Sequence, residues 1–78
     1  MRLSEAPAQS DGYEILRLEG EPTLAERLTE MGLVPGAQVF VRGRLPLGGP
    51  VVIQLGNGFL ALRENEAHCL CLGTRSPA

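Results

Sequence analysis

At 78 residues the chain has room for one domain with one small core, expected to occupy 1–78. A net charge of −2, with seven arginines and no lysine, argues against a general attraction to nucleic acid or acidic membranes. There is no run of about 18 apolar residues to span a bilayer, and the N-terminus lacks a signal-peptide core. A soluble, cytoplasmic protein with no direct membrane insertion is therefore expected.

Residues 1–12 read as irregular, with Pro7, Ser10, Asp11 and Gly12 as loop formers and Leu3 as an anchor. A first strand is expected over 13–18. Its parity leaves the inward face open, because Tyr13, Ile15 and Arg17 share one side and Glu14, Leu16 and Leu18 the other. A helix follows. Thr23 and Glu26 have capping-box spacing, and Leu24, Leu28 and Met31 make one apolar stripe. Gly32 is placed to close the helix in a left-handed conformation, with Leu33 packing back onto Leu28. Val34-Pro35-Gly36-Ala37 fits a type II turn.

From Gln38 the period changes to two, with Val39 and Val41 on one face of a strand over 38–44. Leu45-Pro46-Leu47-Gly48-Gly49-Pro50 is a loop. A strand over 51–55, a tight turn at Gly56-Asn57-Gly58 and a strand over 59–62 come next. Residues 63–67 suit one helical turn, and 68–72 a last strand before a frayed end over 73–78. Five short strands with small apolar faces bury them best by curling into a closed or nearly closed barrel.

Chemistry-bearing residues are few. No paired acid, base or nucleophile suggests an enzyme. With only Tyr13, Phe40 and Phe59 as aromatics, single-stranded nucleic acid is a poor ligand. His68-Cys69-Leu70-Cys71 is the one metal-like cluster. In a strand the two thiols share a face and His68 takes the other, too few ligands for a closed zinc site. No cofactor is required on this reading, and any zinc or Fe(II) held by His68, Cys69 and Cys71 is adventitious. The cysteines are expected to be free thiols, since so short a loop would strain a disulfide. Apolar residues on turns are candidates for partner contact: Val34 beside the helix end, and Leu45 and Leu47 around Pro46. The competing role for the two leucines is a lid on the open end of the barrel.

The run Arg27-Leu28, then Met31-Gly32-Leu33-Val34-Pro35-Gly36, Val39 and Val41 resembles the signature of the FeoA family, small proteins of bacterial ferrous iron transport. The likeness continues through Pro46-Leu47-Gly48-Gly49-Pro50-Val51, Ala61-Leu62-Arg63 and Glu66-Ala67, and covers roughly residues 13–72, the expected core of the domain. One departure is Pro7-Ala8, where the family often has Pro-Gly. The resemblance implies an SH3-like small β-barrel of about five strands, with a short helix after the first strand and a helical turn before the last. It implies no catalysis. It also implies a role in Fe(II) uptake through the membrane transporter FeoB, whose cytosolic part carries a GTP-binding domain. Self-association, where it occurs, is expected to be weak. The alternatives are an iron chaperone or sensor working through His68 and the thiols, and a generic peptide-binding barrel.

Overall fold

The computed structural model describes residues 1–7 and 12–74. A 3-10 turn at Leu3–Glu5 opens the chain. Five strands follow: β1 at Tyr13–Leu18, β2 at Gln38–Arg44, β3 at Val51–Leu55, β4 at Gly58–Leu62 and β5 at Leu70–Thr74. Helix α1 at Pro22–Glu30 joins β1 to β2, and the single turn α2 at Glu64–Ala67 joins β4 to β5. The strands form one antiparallel sheet in the order β4-β3-β2-β1-β5. The architecture is the expected mainly-β one, but the sheet is open, since its edges β4 and β5 are not hydrogen-bonded to each other. One core fills its concave side, built from Ile15, Leu28, Leu33, Val39, Val41, Val51, Ile53, Leu62, Leu70 and their neighbours.

The end of α1 follows from local rules. Gly32 has φ +96°, Leu33 N–H donates to Leu28 O at 3.2 Å, and Gly32 N–H donates to Thr29 O at 3.0 Å. These two bonds are the Schellman cap, and Leu33 and Leu28 are both fully buried beneath it. The turn after it is closed by Ala37 N–H to Val34 O at 3.0 Å, with Gly36 at φ +92°. The start of α1 differs from the capping box expected at Thr23. Pro22 occupies the first helical position, where its missing N–H costs nothing, and Glu21 caps instead. Its carboxylate accepts from Thr23 N–H at 3.2 Å and Leu24 N–H at 3.0 Å. The apolar stripe is also narrower than expected: Leu28 is buried, Leu24 half-buried and Met31 exposed.

The N–H groups of Thr23 and Leu24 hold the Glu21 carboxyl below its ordinary pKa. A lowered folded-state pKa contributes stability above the unfolded value and loses it as pH falls through the folded one. Glu21→Gln is therefore expected to lower the Tm at neutral pH and to match the parent well below the carboxylate range. Equal Tm values for the two proteins at neutral pH would remove Glu21 from the cap.

Two bulges settle which way side chains face. In β1, Ile15 pairs with Leu72 and Arg17 with Cys71, so Leu16 is the extra residue. Tyr13 and Ile15 point inward before the bulge, and Leu16 lies exposed across Gly73. In β2 the extra residue is Arg42, after which Arg44 pairs with the buried Val51. The bulge turns the Arg44 guanidinium toward the N-terminal segment, where it donates to Leu3 O at 3.3 Å and Ala6 O at 2.7 Å. Leu3 is fully buried, as an anchor should be. Ser10, Asp11 and 75–78 lie outside the described residues. The last strand begins at Leu70 and not at His68, because His68 caps α2 by donating its N–H to Glu64 O at 2.9 Å. It runs on to Thr74, past the point where fraying was expected. The β3–β4 turn is Gly56-Asn57, with positive φ at Gly56 and not at Asn57, the pattern of a II′ turn.

Candidate functional site

The loop between β2 and β3 is closed at its neck by Leu45 N–H to Pro50 O at 3.0 Å, and at its tip by Gly49 N–H to Pro46 O at 3.2 Å. The two residues at the tip, Leu47 and Gly48, have φ of +61° and +72°, as a type I′ turn requires. A leucine in that conformation costs about 1–2 kcal/mol, because its Cβ crowds its own backbone. Leu47 is the one non-glycine with positive φ among the described residues, and its side chain is fully exposed. That rules it out as a lid. Leu45 is half exposed and packs under Gly49, where a Cβ would come within 2.8 Å of the Leu45 Cβ.

Val34 is exposed, at the turn that leads into β2. It does not join the two leucines. β2 runs between them, and its seven residues separate the two ends by about 20 Å. The Val34 end lies with the β3–β4 turn, as the approach of Leu55 to Gly32 shows.

His68, Cys69 and Cys71 do not converge. Among the described residues no group of three or more His, Cys, Asp or Glu side chains is arranged to hold a metal ion. Cys69 precedes β5 and is buried, its thiol 3.4 Å from Asn65 O, and burial pushes its pKa up. Cys71 is buried where the Arg2 backbone bridges to β5. His68 is exposed, with Nδ1 3.4 Å from Ser4 Oγ. Both thiols are free and serve as packing groups.

The structure also forms a groove that sequence reasoning missed. It holds about 480 Å³ between the start of α1 and α2. Leu24 and Cys69 line its apolar part, with Glu21, Glu64 and His68 at exposed positions around them. The one sequence signal for it is Gly20, whose φ is +126° and where a Cβ would meet the Cys69 thiol at 2.9 Å. That signal needs the position of Cys69 before it can be read.

An open, curled antiparallel sheet with a helix after its first strand and an apolar loop at one end is an SH3-like β domain. The family model of the FeoA domain matches residues 1–72, and the chain belongs to the FeoA family, which is linked to ferrous iron transport. The FeoA protein of Chlorobium tepidum is 34% identical, with a TM-score of 0.84 over 97% of this chain and 71% of that one. The FeoA of Stenotrophomonas maltophilia, solved with zinc, is 31% identical, with a TM-score of 0.73 over 94% of this chain and 89% of that one. That protein is described as a prokaryotic SH3 domain protein and discussed as a candidate ferrous iron transport activating factor. A FeoA-like protein of Clostridium acetobutylicum shares the fold at a TM-score of 0.87 and 23% identity, over 100% of this chain and 90% of that one. Among curated proteins none matches.

Proposed function

We propose that this chain is a non-enzymatic accessory protein of Fe(II) uptake. It docks on the cytosolic face of a FeoB-type membrane transporter and promotes or regulates transport. It works in the cytoplasm, in keeping with the fact that no described helix is long and apolar enough to cross a membrane. The observation that carries this reading is Leu47, a large apolar side chain held fully in solvent on a strained backbone. Strain of this kind persists where the surroundings over-determine it, and it clusters at functional sites. Apolar anchors of this type carry most of an interface's binding energy when a partner covers them. Leu45 forms the base of the same contact. Val34 serves a second contact, which a partner domain wide enough to reach both ends of β2 can also cover.

Leu47→Glu tests the reading. The expected result is an unchanged Tm and a loss of about 2 kcal/mol or more in binding to the transporter's cytosolic domain. Full binding by this variant would remove the loop as the docking site. A chaperone role for His68 and the thiols has no comparable observation behind it, since the three do not converge.

A further inference from the structure

The two edges of the sheet are not equivalent. The β5 edge carries the N-terminal residues: Leu72 N–H donates to Met1 O at 2.6 Å, the Met1 ammonium donates to Leu72 O at 3.2 Å, and Arg2 bridges to Cys71. Among the described residues β4 has a neighbour on one side only, β3. The register identifies the unspent groups. A two-residue turn makes Leu55 and Gly58 a hydrogen-bonded pair, so Ile53 with Leu60 and Val51 with Leu62 are hydrogen-bonded pairs too. The N–H and C=O groups of Phe59 and Ala61 therefore point away from the sheet.

Nothing in β4 protects that edge. Gly-Phe-Leu-Ala-Leu has no charge, no proline and no bulge, the features that keep an edge strand from pairing. Phe59 and Ala61 are exposed on the outer face, while Leu60 and Leu62 turn to the core side. We propose that β4 pairs antiparallel with β4 of a second copy of this chain, about a two-fold axis through Leu60.

Three features favour a second copy over a foreign strand. First, the pairing is self-complementary. Phe59 lies opposite the partner's Ala61, and Ala61 opposite the partner's Phe59, so four backbone hydrogen bonds form and a large side chain faces a small one on each side. Second, an uncharged strand offers no charge for a foreign segment to match, and an identical uncharged strand needs none. Third, the flanking charge is tolerated. The antiparallel register places Arg63 opposite the partner's Asn57 and holds the two Arg63 side chains about 20 Å apart, beyond the Debye length. The dimer also closes, since each copy has spent its free edge. The β2–β3 loop joins two interior strands and stays available, so a dimer presents two Leu47 tips. With so little surface buried, the association is weak and rapidly reversible.

Sedimentation equilibrium from low micromolar to millimolar concentration tests this, with two variants on the outer face. Like charges directly opposite each other weaken a strand pair, and opposite charges support it. The native chain is expected to dimerise with a high-micromolar dissociation constant. Phe59→Lys/Ala61→Lys is expected to weaken that constant about tenfold, and Phe59→Lys/Ala61→Glu to restore it, because the register sets lysine against glutamate. All three proteins should share one Tm. A native chain that stays monomeric to millimolar concentration overturns the proposal. So does a dimer that the Lys/Lys variant leaves intact, or one that the Lys/Glu variant does not recover.

Discussion

Leu3→Ala is expected to destabilise the protein by about 2–4 kcal/mol, although Leu3 lies outside every strand. Its side chain is fully buried in the main core, and alanine would leave a cavity there. For a chain of this size such a loss lowers the Tm by roughly 10–20 °C. The effect should also spread. Arg44 holds the carbonyls of Leu3 and Ala6, and Arg2 donates to His68 O at 2.9 Å and to the Glu19 carboxylate at 2.6 Å. Once its anchor weakens, the segment opens and the β5 edge is uncovered. Cys71, now buried, should then react with a thiol reagent much faster than in the parent. Leu16→Ala is the control, since Leu16 is half exposed and should cost little. A Leu3→Ala variant with the parent's Tm and thiol reactivity would mean that the N-terminal segment does not dock.

Gly32→Val is expected to cost about 1–3 kcal/mol, a fall in Tm of roughly 5–15 °C. A β-branched residue is strained at φ +96°, and the new Cβ would sit 3.2 Å from Leu55 Cδ2, which must move. Two comparisons separate these causes. Gly32→Asn should lose less, because asparagine tolerates the left-handed region. Gly36→Val should show the backbone strain alone, as nothing lies within 4 Å of a Cβ there. If Gly32→Val melts like the parent, the cap does not govern where α1 ends.

Much of the fold was legible because its causes are local. The Gly32–Leu33 cap, the Val34–Ala37 turn and the strand over 38–44 each depend on residues a few positions apart, and each appears as read. The misreadings at element ends have local causes too. Pro22 starts α1 early and passes the cap from Thr23 to Glu21, and the cap at His68 delays β5 to Leu70. The candidate site was legible in part. Leu45 and Leu47 could be singled out because a turn has no need of leucine. Whether they cover the barrel or face a partner could not be read, because exposure depends on what else reaches that end. The groove was invisible for the same reason: Leu24 and Cys69 are 45 positions apart and meet only in the folded chain.

The sequence by itself determined where the chain turns, which segments are strands, and where α1 and the one-turn α2 form. Those are choices of backbone dihedral and short hydrogen-bonded rings, and the residues that make them are neighbours. Only the tertiary structure decided which side of β1 faces inward, since the register of β1 against β5 shifts at Leu16. It alone turned Arg44 toward the N-terminal carbonyls, covered one sheet edge with Met1 and Arg2, and, among the described residues, left β4 paired on one side only. It also set Val34 and Leu47 at opposite ends of β2, and left no cluster of three metal-ligating side chains among the described residues. Each of these depends on which distant segment arrives beside a given residue. That is fixed by burying one shared core, a property of the whole chain and of no short stretch within it.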